Sequence, residues 1–167
     1  MPKHCRIVVT DKCNLHCDYC LMLDKEISQS FKTSTIKEIV KQNYDIYLLT
    51  GGEPTCDMNT LFQTLSVIEE SNPNAEIYIY SNGLASLDYY KSLSGCKCLK
   101  GLNIGWHNME MYKYYEAINE IIPIRIYALY YEVNTRLEAF CRTHNIPLHI
   151  LQWKQCKNEN EDRYRLE

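Results

Sequence analysis

No stretch of this 167-residue chain is long and apolar enough to be read as a membrane span. Met1-Pro2-Lys3-His4-Cys5 does not open a secretory leader either. The short apolar run Ile7-Val8-Val9 follows at once, with no longer hydrophobic region and no small-residue cleavage site behind it. The expectation is a cytoplasmic protein with no membrane contact. An excess of positive charge is missing too: the formal charge of −3 leaves no broad nucleic-acid footprint, although it allows a local basic patch. The 14 tyrosines form no base-stacking pattern and read as core residues. An even cysteine count is absent as well. Nine cysteines cannot all pair, and in a reducing compartment most should be free thiols or metal ligands.

What is present is an ordinary globule by composition, 46% apolar and 23% charged, of a length that makes one domain. Its organising stretch is Cys13-Asn14-Leu15-His16-Cys17-Asp18-Tyr19-Cys20, directly after Ile7-Val8-Val9. Thiolates this close hold a metal or an iron–sulfur cluster. A zinc site or a fully ligated cluster wants four protein ligands, and this segment offers three thiolates, so one position stays open. The competing reading is a structural zinc knuckle that adds His16 or a distant residue. A disulfide within so short a loop would be strained.

Periodicity orders the rest of the chain. Leu21 to Lys32 reads as a polar connector, without firm secondary structure, that could fold over a bound cofactor. Thr35 and Glu38 make a capping box ahead of Ile36, Ile39 and Val40. The apolar strand Asp45–Thr50 ends at Gly51-Gly52-Glu53-Pro54, where two glycines permit close backbone approach and one carboxylate remains. Leu61, Leu65 and Ile68 form a helical stripe, and strand Glu76–Tyr80 stops at Ser81-Asn82-Gly83. A short helix spans Leu87 to Leu93, and strand Leu99–Ile104 leads to Gly105-Trp106-His107. Asn108 is positioned to cap a helix carrying Met111, Tyr115 and Ile118. Strand Ile124–Tyr131 ends near Glu132; Thr135 with Glu138 repeats the capping pattern before Leu137, Phe140 and Cys141; Pro147–Trp153 is a sixth strand. Six strands alternating with about five helices predict an α/β fold with a parallel sheet. Residues 1–153 form the expected core, and 154–167 a polar, mobile C-terminal tail.

The thiol spacing, the aromatic before the last cysteine and the flank Arg6-Ile7-Val8-Val9-Thr10-Asp11-Lys12-Cys13-Asn14-Leu15 resemble the signature of the radical S-adenosylmethionine (radical SAM) superfamily. Gly51-Gly52-Glu53-Pro54 resembles that family's second motif. The resemblance carries through residues 6 to 83 and implies a minimal, single-cluster member with a partial (β/α)6 barrel of parallel strands. It implies that Cys13, Cys17 and Cys20 hold three irons of a [4Fe-4S] cluster whose fourth iron is chelated by SAM. Tyr19 would lie beside SAM, and Gly51, Gly52 and Glu53 would contact its methionine amine. Ser81 and Asn82 are further SAM candidates, balanced against plain turn chemistry. The implied reaction begins with an external donor such as flavodoxin or ferredoxin, which reduces the cluster. SAM is then cleaved to methionine and a 5′-deoxyadenosyl radical that abstracts hydrogen from a substrate.

Strand ends of a parallel α/β fold share one mouth, which makes His107, Glu132 and Gln152 candidate substrate contacts, each balanced against a supporting or capping role. Cys56 is either a thiol hydrogen donor or a buried inert thiol; Cys96 and Cys98 fall at the opposite barrel end, and Cys156 lies in the tail. The opening Val9–Leu15 looks like that of the molybdenum-cofactor cyclase branch. That branch's long C-terminal region with a second cluster has no counterpart in these 167 residues, so cyclase activity is not expected. The substrate is a small molecule or a partner protein. A glycyl-radical-enzyme activator and a 7-carboxy-7-deazaguanine synthase-like ring-contraction enzyme are the compact alternatives, and peptide modification is also open. A noncatalytic zinc or iron–sulfur module is the alternative from another class.

Overall fold

Strand β1 (His4–Thr10) buries Cys5, Ile7 and Val9 on one face and leaves Arg6 and Thr10 half-exposed on the other. The same period-2 alternation recurs in β3 (Ile46–Gly51), β4 (Glu76–Ser81) and β6 (Ile124–Leu129). The computed structural model describes residues 2–23, 27, 29–107, 110–152 and 161–167. Its remaining strands are β2 (Lys32–Ser34), β5 (Leu99–Gly105), β7 (Leu148–Leu151) and β8 (Asp162–Leu166). The described helices are α1 (Ile36–Val40), α2 (Met58–Ser71), α3 (Leu87–Leu93), α4 (Tyr112–Ile121) and α5 (Thr135–Thr143).

All eight strands are parallel, in the order β2-β8-β1-β3-β4-β5-β6-β7. Over the six strands from β1 to β7, chain order equals spatial order. Right-handed crossovers that always advance in one direction put every helix on the same side of the sheet. The result is a singly wound, partial barrel. Its apolar core lies between strands and helices, where Leu61, Leu65 and Ile68 of α2 belong to one buried cluster with Leu49, Ile77 and Ile79. The opposite face carries the half-exposed strand residues together with the buried Asn103.

Local chemistry sets the helix limits. Glu38 accepts the Thr35 N–H at 3.0 Å and completes the expected box at α1. Asp57 and Ser86 cap α2 and α3 through the N–H groups of Thr60 and Tyr89. At α5 the cap lies one residue earlier than expected: Asn134 Oδ1 accepts from Leu137 N–H at 2.9 Å, and Thr135 is already helical. Met111 sits at the N-cap position of α4 rather than inside it, while Tyr115 and Ile118 are buried as expected. Asn108 lies outside the described residues, as do Trp153 and Cys156.

Two further strands depart from the sequence reading. The connector ends in β2, and part of the expected tail is β8, paired on both sides by β1 and β2. Tyr44, almost fully buried, anchors β8 by donating to Asp162 Oδ2 at 2.6 Å and meeting the Tyr164 hydroxyl at 2.9 Å. Strand β6 ends at Leu129 and β7 at Leu151, both short of the expected limits. Among the described residues no helix is long and apolar enough to cross a membrane.

Candidate active site

The cysteine loop leaves the C-terminal end of β1, and backbone chemistry roots it there. The β1/β3 register shifts between Val8 and Thr10, so Thr10 opposes Gly51. Such a bulge bends the strand and re-aims the chain beyond it. Gly52 N–H then donates to Thr10 O at 2.8 Å, and Glu53 N–H to Lys12 O at 2.7 Å. A Cβ at Gly51 would stand 2.2 Å from Thr10 O, and one at Gly52 2.3 Å from Lys12 O. Gly51 also has φ +149°, a conformation glycine favours. The two glycines therefore serve the close approach of β3 to the cysteine loop.

Glu53 is only 2% exposed, and its carboxylate accepts three bonds at Oε1 and one at Oε2. Thr55 donates from its N–H and hydroxyl, Ser81 from its hydroxyl at 2.9 Å and Asn82 from its N–H at 2.6 Å. Asn82, also buried, extends its side-chain Nδ2 to Asn14 Oδ1 at 2.7 Å. One chain of hydrogen bonds thus joins the ends of β3 and β4 to the interior of the cysteine loop. Gly83, with φ +76°, completes the Asn-Gly turn. Asn14 and Thr55 escaped the sequence reading: the partner of Asn14 lies 68 residues away, and the local bonds of Thr55 to Glu53 gain their meaning only where Ser81 and Asn82 join the same carboxylate.

Cys13 is exposed, Cys17 and Cys20 are half-buried, and all three thiols are free. Leu15 N–H points to Cys13 Sγ at 3.4 Å and a turn closes from Cys20 N–H to Cys17 O at 3.1 Å. Burial first, then the neighbouring Cys20 and Cys13 sulfurs, push the Cys17 thiol up. A thiol so raised yields its proton when a cation replaces it. Three free thiols share one loop and Cys20 and Cys13 both influence Cys17, but among the described residues no three His, Cys, Asp or Glu side chains are gathered closely enough to hold a metal ion; it is the thiols' spacing along the chain that points to a cluster with one position open. Cys56 also lies near this group; its thiol is raised by burial and then by Glu53 and Cys13.

His107 and Glu132, expected at strand ends, meet Tyr19 at the mouth. Tyr19 Oη is 2.7 Å from His107 Nδ1, the two rings lie within 9° of parallel, and Cys17 Sγ is 3.8 Å from the same nitrogen. Tyr19 also interacts with Glu132, whose carboxyl is raised mainly by burial. Glu132 Oε2 accepts Leu129 N–H at 3.1 Å. Gln152 is exposed beyond β7 and makes no hydrogen bond with the described residues. Cys98, which precedes β5, lies at the far end of the barrel with its thiol near the carbonyls of Asn72 and Pro73.

The family model for the Radical SAM superfamily matches residues 7–147. This chain belongs to that superfamily. As a radical SAM protein it is an enzyme by family, and its relatives agree. A GTP 3′,8-cyclase of Bradyrhizobium diazoefficiens is 28% identical over 66% of this chain and 35% of its own length. One from Aquifex aeolicus is 28% identical over 71% of this chain and 39% of its own. The radical SAM chain thus spans little more than a third of the curated relatives it matches. A solved structure of histidine-tagged anSMEcpe with bound AdoMet covers 92% of this chain and 52% of its own at 15% identity, with a TM-score of 0.63. That likeness establishes the shared fold.

Proposed function

We propose that this chain uses a [4Fe-4S] cluster held by Cys13, Cys17 and Cys20 to cleave SAM reductively. The observation that carries the reading is the hydrogen-bond chain from Glu53 through Asn82 to Asn14, which fixes a three-thiol loop at the strand ends of a radical SAM barrel. When bound and reduced by an external donor such as flavodoxin or ferredoxin, the cluster supplies the electron that converts SAM to methionine and a 5′-deoxyadenosyl radical.

The chain's own residues do the positioning. Asn14 and Asn82 hold the loop between Cys13 and Cys17, and Gly51 and Gly52 keep β3 against its root. Tyr19 and His107 stack beside Cys17 and line one flank of the thiol loop. The Glu53 side chain supports the turn at Ser81-Asn82 and accepts a single bond at Oε2; contacts from Tyr19, Gly51, Gly52, Glu53, Ser81 and Asn82 to SAM belong to this proposal.

The test is anaerobic iron–sulfur reconstitution, reduction with dithionite in the presence of SAM, and assay of 5′-deoxyadenosine. Product that disappears with Cys13→Ala, Cys17→Ala or Cys20→Ala supports the reading. Tightly bound zinc without SAM affinity would overturn it in favour of a noncatalytic zinc module.

A further inference from the structure

The barrel face turned away from the helices gathers guanidinium groups among tyrosine rings. Register sets Arg163 beside Arg6, Arg6 beside Leu48 and Leu48 beside Tyr78. Nearer the mouth, Tyr80, Asn103 and Arg125 stand side by side on three adjacent strands. The Arg6 guanidinium lies 4.9 Å over the Tyr80 ring, and that of Arg125 lies 4.4 Å over the Tyr78 ring. Rings hold such groups flat and in place, which suits a guanidinium to two-point contact with an oxyanion.

The cations of this face differ in their partners. Glu161, a buried carboxylate, accepts from Arg6 Nε at 2.6 Å and lies 3.7 Å from Arg163 Nε, so it anchors both guanidinium groups. Among the described residues no carboxylate comes within ion-pair distance of Arg125. An independent feature stands between Tyr80 and Arg125. Asn103 is 2% exposed and its Oδ1 has no hydrogen-bond partner among the described residues. A buried acceptor left unmatched is costly and calls for a donor.

We propose that this face binds a small oxyanion-bearing molecule, with Arg125 and the Arg6–Arg163 pair on its phosphate or carboxylate and Asn103 Oδ1 on an N–H or O–H of the same molecule. The inference rests on the proposed function, which makes this molecule the substrate of the SAM-dependent reaction. It narrows the substrate class from any small molecule or partner protein to a small anion with a hydrogen-bond donor.

The test is calorimetric titration of pyrophosphate and of succinate into anaerobically reconstituted protein, with and without saturating SAM, with cluster and SAM binding followed on the same preparation. Saturable binding of either anion that persists with SAM is expected; tighter pyrophosphate marks a phosphorylated ligand, tighter succinate a carboxylate. Arg125→Gln should weaken it about tenfold, the loss of one charge-assisted contact, and Arg125→Lys should recover part. Lys91→Gln on α3, distant from this face, should bind as the wild type does. No saturable binding, equal binding by wild type and Arg125→Gln, or displacement by SAM would overturn the inference; the last would assign the arginines to the SAM carboxylate. Failure of cluster assembly with anion binding intact would overturn the proposed function instead.

Discussion

Asn82 Nδ2 donates to Asn14 Oδ1 at 2.7 Å, while the Asn82 backbone N–H donates to Glu53 at 2.6 Å. One residue at the end of β4 thereby ties the thiol loop to a buried carboxylate. Asn82→Ala removes the first bond, and with it the acceptor of Leu84 N–H at 3.1 Å, and keeps the second. The expected cost is about 1–3 kcal/mol of stability, the net worth of two hydrogen bonds. The larger effect should be local: the reconstituted variant loses iron to a chelator faster than the wild type, read by absorbance. Unchanged iron retention would mean the loop is held without this contact.

Gly52→Ala should be far more damaging. Its new Cβ meets backbone at 2.3 Å, where no flexible side chain can yield. Separating β3 from the Lys12 carbonyl breaks the Glu53 N–H bond as well. We expect a loss of at least about 2 kcal/mol, as for other backbone-incompatible substitutions, together with failure to assemble a cluster. Thermal unfolding and iron content measure the two effects.

Glu132 gives a pH dependence with a defined sign. Burial raises its folded-state carboxyl above the ordinary value of 4.5. The folded state then binds more protons than the unfolded one between that value and the raised one. Its contribution to stability is complete below the unfolded value and declines as pH rises through the folded one. Glu132→Gln should flatten the stability profile in that window, as determined by urea unfolding at a series of pH values. A profile identical to the wild type would show that Glu132 ionises as freely folded as unfolded.

Tyr44→Phe addresses β8. The hydroxyl bonds both Asp162 and Tyr164, and its removal leaves those groups without this partner. A loss of about 1–3 kcal/mol is expected, with hydrogen exchange faster in residues 162–166 than in β4 or β5. Equal exchange in wild type and variant would show that strand pairing alone holds β8.

Short-range pattern made much of this protein legible. The strands β1, β3, β4, β5 and β6 follow apolar runs, α1, α2 and α3 follow caps and stripes, and the three thiols follow their spacing. Each rests on contacts within a few residues, where sequence and structure carry the same information. Strand β8 was partly readable: Asp162-Arg163-Tyr164-Arg165-Leu166 alternates, but its polar composition outweighed its period.

From the residue order alone come the succession of strands and helices, the cysteine loop and the glycine pair that follows the second core strand. The folded chain chose the partners. Asn82 reaches Asn14 across 68 residues, Arg6 reaches Glu161 across 155, and Tyr44 fixes Asp162 across 118. It also placed Arg125 and Asn103 on one face with Arg6. Those pairings depend on crossover direction and strand register, which arise from the packing of the whole sheet and leave no mark on neighbouring residues.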